Sequence, residues 1–336
     1  MNLTDPKYAR FALVREMIET ARVVRTLKVE TIFALERFLE RRRVLFTGEG
    51  SSRIFPAKNA LYNAMRHAYD GCYFTEAATQ ALEYALSDTS VFVASNSGKT
   101  KEGVRLIRQL SQQGHQGVCG VVANAGTPIH TEADGCYLLA CGPEAAVAAT
   151  KSVVEQALFY DLLLRKRHGR PMPDLAHLGD LLSEAMEAEI PESIAAVLTK
   201  AHLLYWAGRN NGVAEELALK TNEITHKKSD FLEGTYAVHG IEEVMRSDEA
   251  VIVVDPFVQE EEKFQEVLEK GVGLSVVALA PRETRFATIR VPAYDEFSPY
   301  LQLAAGWSLL VEIGVRLGIN LDKAERARKV GNEFKG

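Results

Sequence analysis

Val91-Phe92-Val93-Ala94-Ser95-Asn96-Ser97-Gly98-Lys99-Thr100 is the stretch on which the fold turns. Its apolar half predicts a buried strand. The serine- and glycine-rich turn that follows opens a segment with Val104, Ile107 and Leu110 on one helical face, closed by Gly114. Strand, tight turn and helix together form the repeating unit of a parallel sheet. A turn of this kind aims backbone N–H groups and the positive end of the helix dipole at one spot, which suits an anion. Ser95, Ser97 and Thr100 add hydroxyl donors without adding charge, and Gly98 lets backbone approach a ligand closely. The plainer alternative is a serine-rich turn that only caps its helix.

The same alternation extends in both directions. Val44-Leu45-Phe46 ends at Gly48, Val118 to Val122 stops before Asn124, and Cys136 to Leu139 runs out before Gly142. In the second half Leu203-Leu204-Tyr205-Trp206-Ala207 ends at Gly208, 160 residues after Gly48. That offset also carries Ser87-Asp88 onto Ser247-Asp248, and the strand ending at Ser95 onto Val251 to Asp255. A shared offset predicts an α/β chain of two tandem doubly wound parallel sheets. The expected divisions are a helical region over 1–42, a first domain over 43–170, a second over 171–320 and a tail over 321–336. The link is placed around Arg165 to Pro173, and the first domain holds the anion loop.

A second turn, Gly48-Glu49-Gly50-Ser51-Ser52, ends the first strand. In open parallel sheets, loops at the carboxyl ends of neighbouring strands converge on one crevice, so the two turns are expected to face the same ligand. Neither fits the dinucleotide G-x-G-x-x-G pattern or a P-loop.

Composition narrows the classes. The 336 residues are 47% hydrophobic and 25% charged, the balance of a globular protein. A net charge of −6 offers no global field for nucleic acid or an acidic membrane, so no partner of either kind is expected. An anionic ligand must be held locally. Cys72, Cys119, Cys136 and Cys141 lack metal-ligand spacing and read as buried small hydrophobes in a reducing compartment. The start carries no basic region with an apolar core, and no long apolar run occurs, so the cytoplasm is the expected location.

At the place equivalent to the serine turn, the second domain has Asp255-Pro256-Phe257. It must contribute something else. Glu216, Lys220 and Glu223 fall on one helix face, which taken alone is ordinarily a solvated salt-bridged stripe. Phe231 to Gly240 reads as a loop presenting His239, ordinarily just exposed.

Together these segments resemble the sugar isomerase (SIS) domain family, in particular the isomerase portion of glutamine–fructose-6-phosphate aminotransferase, from about Arg43 to Lys329. The family's strand-end Thr-Ser or Ser-Ser is similar to Ser51-Ser52, and its S-x-S-G-[ED]-T loop to Ser95 through Thr100. Its G-P-E-x-x-V-A-[ST]-T-K segment is similar to Gly142 to Lys151, and A-L-K-x-x-E to Ala218 through Glu223. The histidine 16 residues beyond matches His239, P-x-L-Q-L-x-A matches Pro299 to Ala305, and the near-terminal lysine matches Lys329.

The resemblance implies two tandem flavodoxin-like SIS domains. Ser51, Ser52, Ser95, Asn96, Ser97, Gly98, Thr100, Val147 and Ala149 would bind phosphate and sugar. Glu223 would move the proton between C1 and C2, His239 would promote ring opening, Lys329 would act at the carbonyl or ring oxygen, and Lys220 would assist. The chemistry suits these residue types, since aldose–ketose interconversion through an enediol needs a shuttling base and donors where oxyanion charge develops. No cofactor or metal is expected.

The implied substrate is a hexose 6-phosphate or hexosamine 6-phosphate, and the implied assembly a homodimer with His239 donated in trans. Departures fall on substrate identity: Lys99 stands where the family carries an acid, Asn96 where the synthases carry Gln, Ala149 where Ser or Thr is usual, and Ala324 to Arg328 replaces the usual lead to the terminal lysine. With Asn2 where the synthases expose a nucleophilic cysteine, and no amino-terminal glutaminase region, the expectation is a protein that does not itself hydrolyse glutamine. That leaves a phosphosugar isomerase, an amino-sugar-phosphate deaminase or a deglycase. The alternative is a non-catalytic phosphosugar-binding regulator.

Overall fold

The computed structural model describes residues 1–326, so Lys329 lies outside the described residues. The chain divides into two compact units. One contains Arg22–Ala145 and Ala149–Ala176, the other Met1–Ala21, Ala146–Ala148 and His177–Ala324.

The first unit holds a five-stranded parallel sheet of β1 (Arg43–Gly48), β2 (Cys72–Ala77), β3 (Thr89–Ser95), β4 (Val118–Val122) and β5 (Gly135–Leu138), in the order β2-β1-β3-β4-β5. Every residue of β3 and β4 is buried, as expected where a parallel sheet is covered on both faces. Helix α1 (Ile54–Arg66) follows β1, α2 (Lys101–Gln112) follows β3, and α3 (Lys151–Arg167) follows β5. Val104, Ile107 and Leu110 are all buried on α2, which seats that helix on the sheet.

The second unit repeats the plan with β6 (Leu203–Gly208), β7 (Lys228–Glu233), β8 (Ala250–Val254), β9 (Ser275–Ala280) and β10 (Ala287–Arg290). Their order, β7-β6-β8-β9-β10, is that of the first sheet, and all pairings are parallel. The repeat extends to register. Val44 pairs with Ser90 and Thr47 with Val93 in the first sheet, while Leu204 pairs with Ala250 and Ala207 with Val253 in the second. Each partner is displaced by the 160 residues that separate Gly48 from Gly208. Helix α4 (Val213–Thr225) follows β6, and α5 (Ser298–Arg316) closes the unit.

Three sequence expectations are corrected. Phe231 to Glu233 is not loop but the end of edge strand β7, and only Gly234 onward leaves the sheet. Helix α3 continues to Arg167, so the link begins at His168 rather than Arg165, whose buried guanidinium instead donates to the Pro171 carbonyl at 2.9 Å. Cys119 and Cys141 are buried, but Cys72 is exposed and Cys136 half-buried. No described helix is long and apolar enough to cross a membrane.

Candidate functional site

In the order β2-β1-β3-β4-β5 the chain reverses direction across the sheet between β1 and β3, the switch point at whose carboxyl ends open parallel sheets commonly take ligands. Both predicted turns lie there. The strand ends that carry them lie so close that a Cβ on Gly48 of β1 would stand 2.8 Å from the Ala94 carbonyl oxygen of β3.

Within the turn Ser95 to Thr100, Ser95 Oγ lies 2.7 Å from Thr100 Oγ1 and accepts the Gly98 N–H at 3.0 Å. Ser97 Oγ accepts the Lys99 N–H at 3.2 Å. Three hydroxyls therefore converge in one turn ahead of α2, groups able to donate to an oxyanion, while the Gly98 and Lys99 amides are taken up within the turn by Ser95 and Ser97. Gly98 sits at φ +70°, and a Cβ there would meet Thr127 Oγ1 at 2.1 Å. Gly98→Ala thus faces both a left-handed backbone and a clash, and is expected to cost about 2 kcal/mol and, if the turn holds an anion, to lower affinity for inorganic phosphate at least tenfold. Denaturant unfolding and titration would check it; a folded Gly98→Ala protein with parental affinity would remove the turn from the site.

Ser51 and Ser52, both half-buried, form a short 3₁₀ turn (Gly50–Ser52) after β1. Beside them Glu49 Oε1 accepts the Ala78 N–H at 3.0 Å. Burial, reinforced by Glu102, holds the Glu49 carboxyl above the usual range. Composition gave no sign of Glu49, because a lone acid in a turn reads as solvated.

Asn96 departs from expectation in where its side chain goes. Its Nδ2 donates to Glu144 Oε2 at 3.1 Å, while its backbone oxygen accepts from Ala123 N at 3.1 Å and Asn124 Nδ2 at 2.9 Å. Glu144, 6% exposed, also accepts the Thr150 N–H at 2.7 Å, the Thr150 hydroxyl at 3.2 Å and the Ser152 hydroxyl. The stretch between Glu144 and Thr150 carries Val147 and Ala149, both half-buried; Val147 groups with the second-sheet unit and Ala149 with the first.

In the second-sheet unit, Trp206 fixes α4 by donating Nε1 to Thr221 Oγ1 at 2.7 Å, with both side chains fully buried. The neighbouring face is not the solvated stripe that its charges suggest. Lys220 and Glu216 are completely buried, with Nζ 3.2 Å from Glu216 Oε1 and 2.7 Å from Glu223 Oε2. Burial by itself pushes the Lys220 ammonium down, but Glu223 and Glu216 outweigh it and hold the group above the usual lysine range. The Glu223 side chain keeps 25% exposure. Its Oε2 is anchored by Lys220, and Oε1 takes no hydrogen bond from the described residues.

His239 ends a 3₁₀ turn (Tyr236–Val238) and is exposed, with Nε2 3.3 Å from Lys263 Nζ. The apolar character of its loop is largely absorbed within its own unit: Ala237 and Val238 are buried, Phe231 half-buried, and only Tyr236 stands out at 52% exposure. At the second sheet's counterpart of the serine turn, Arg209 Nη1 donates to the Asp255 backbone oxygen at 2.5 Å and to Oδ2 at 2.9 Å, and its guanidinium covers the Phe257 ring. The two units therefore differ. One switch point presents hydroxyls; the other is tied by an ion pair.

A two-sheet α/β protein with a hydroxyl-lined turn at the switch point of its first sheet is the class these features define. Residues 37–166 match the SIS domain. The chain is 28% identical over 262 residues to glutamine–fructose-6-phosphate aminotransferase of Halobacterium salinarum, covering 72% of this chain and 43% of that protein. It is 26% identical over 275 residues to the Aeropyrum pernix protein of that name, with the same coverage. It thus spans less than half the length of these curated relatives. Among solved structures, the C-terminal domain of glucosamine-fructose-6-phosphate aminotransferase from Francisella tularensis superposes with a TM-score of 0.77 at 16% identity, over 94% of this chain and 98% of that one. Tagatose-6-phosphate ketose/aldose isomerase from Escherichia coli gives 0.78 at 15% identity, covering 96% and 99%. Glucosamine-6-phosphate deaminase from Thermotoga maritima gives 0.70 at 19%, covering 93% and 98%. The chain therefore carries an SIS domain, is homologous to the isomerase domain of glutamine–fructose-6-phosphate aminotransferase, and has the fold of tandem SIS sheets.

Proposed function

We propose that the chain is a phosphosugar aldose–ketose isomerase or an amino-sugar-phosphate deaminase or deglycase, acting on a hexose 6-phosphate derivative in the cytoplasm. The observation that carries the reading is Glu223, a partly exposed carboxylate anchored through one oxygen by a wholly buried lysine. A base that shuttles a proton between C1 and C2 needs a fixed position and an oxygen left for the substrate, and Glu223 has both. Ser51, Ser52, Ser95, Ser97, Gly98 and Thr100 hold the phosphate, with Val147 and Ala149 against the sugar. Its binding energy positions carbons remote from it. His239 assists ring opening, and Lys329 acts at the carbonyl or ring oxygen.

Incubation with a panel of hexose and hexosamine 6-phosphates, assaying ketose and ammonia, separates isomerisation from amine release. Equal affinity for glucose and glucose 6-phosphate would sink the phosphate reading.

The exposure of His239 at the surface of its own unit fits a group that acts in a second subunit. In a twofold homodimer, inactive Glu223→Gln and inactive His239→Ala proteins should recover about a quarter of parental activity after subunit exchange, since half the dimers are mixed and half their sites whole. No recovery after proven exchange places His239 in its own subunit.

A further inference from the structure

We infer that Glu144 is a positioning residue for the phosphate turn, acting through the side chain of Asn96, which is therefore turned toward the protein rather than toward the ligand. The inference rests on the phosphosugar reading above. Its geometry is independent of it.

Glu144 is a buried carboxylate, and a buried carboxylate is retained only where its oxygens are well supplied with donors. Among the described residues, Asn96, Thr150 and Ser152 donate to it, from two segments of the chain. Thr150 and Ser152 lie at the start of α3, where an acid also meets the positive end of the helix. Asn96 lies within the turn itself, one residue from both Ser95 and Ser97. A carboxylate can only accept, so the Asn96 NH₂ must face it. With the Asn96 backbone oxygen held by Ala123 and Asn124, the residue is pinned at both ends, and the hydroxyls on either side of it inherit that placement. Glu144 thus joins the start of α3 to the centre of the anion turn.

The effect of charge gives a test of sign. Glu144→Gln removes a negative charge near an anion site, which by electrostatics alone should tighten phosphate binding. Positioning predicts the reverse, because one carboxylate oxygen becomes an NH₂ that must face either the Asn96 NH₂ or the Thr150 N–H, and the charge-assisted bonds are lost. Inorganic phosphate is the probe, titrated calorimetrically into the whole parent chain and the variants, with KM and kcat on whichever 6-phosphate the panel shows to be active. Glu144→Gln should weaken phosphate and raise KM by about tenfold while kcat changes less than about threefold. Asn96→Ala should do the same, and the double variant no more than either single one.

Tighter phosphate binding, effects that multiply in the double variant, or a lowered melting temperature with unchanged affinity would each overturn the inference and leave Glu144 as a helix cap. Should Glu144→Gln fail to fold, Asn96→Ala alone decides, since parental affinity in that variant contradicts the role. A parent that binds neither phosphate nor any phosphosugar overturns the functional reading instead, before any variant is compared.

Discussion

Glu223→Gln is expected to bind the phosphosugar within a few-fold of the parent and to turn it over at least 10²-fold more slowly. The amide keeps the size and one acceptor of the carboxylate but cannot take the proton. Binding should survive because the hydroxyls proposed to hold phosphate belong to the turn Ser95 to Thr100, not to α4. The loss should therefore fall on kcat rather than on KM, the signature of an interaction made in the transition state. Lys220 constrains the interpretation further. In the variant its ammonium remains buried beside Glu216 but loses its charged partner at 2.7 Å. A modest fall in stability should accompany the kinetic loss. Steady-state kinetics on the substrate identified by the panel, with a melting curve as control, gives the answer. Parental turnover in the variant would remove Glu223 as the base.

How much of this was legible in the sequence depends on burial. Strands β1, β3, β4, β6 and β8 are wholly or almost wholly buried, so they read as unbroken apolar runs. Edge strands β2 and β7 read differently. Cys72-Tyr73-Phe74-Thr75-Glu76-Ala77 and Lys228-Ser229-Asp230-Phe231-Leu232-Glu233 carry the charged and polar side chains that keep an unpaired edge from pairing with another chain. Composition therefore reads the end of β7 as loop. Strand β9 was visible in principle, since Val276 to Ala280 is apolar and stops at Pro281.

The anion turn was legible because its chemistry is local. Six consecutive residues contain nearly all its donors, and the helix that follows fixes their direction. The Glu216–Lys220–Glu223 group was legible only as a pattern. Spacing puts three charges on one face, but whether that face meets water or protein is decided by tertiary packing, here by a helix whose residues Glu216 to Ala218, Lys220 and Thr221 are buried. Glu144 was the least legible. Its partners Asn96, Thr150 and Ser152 come from two segments, and no spacing rule links position 96 to position 144.

Lys220→Met should cost about 3–5 kcal/mol of unfolding free energy, the range for breaking a buried pair by removing one partner. Methionine fills the volume of the lysine stem, so a cavity contributes little. The cost comes from Glu216, fully buried and deprived of the Lys220 ammonium 3.2 Å away. The pH dependence carries the sign. In the parent, the folded-state pKa of Lys220 is raised, so its contribution is complete below the unfolded lysine value near 10.4 and fades only as pH climbs through the folded value. Across pH 5 to 8 that contribution is flat. In Lys220→Met, the buried Glu216 loses the Lys220 cation that favours its charged form, so its carboxyl is expected to bind a proton more readily in the folded state than unfolded, and the protein to gain stability as pH falls toward 5. Urea unfolding at several pH values between about 5 and 8 therefore distinguishes the two proteins by slope as well as by midpoint. Adding Glu216→Gln to Lys220→Met should restore most of the stability, because the buried charge is gone. It should not restore turnover, because Glu223 Oε2 still lacks the hydrogen bond that holds it at 2.7 Å. If Lys220→Met loses less than about 1 kcal/mol with the parent's pH slope, Lys220 is not the buried clamp on which the placement of Glu223 depends.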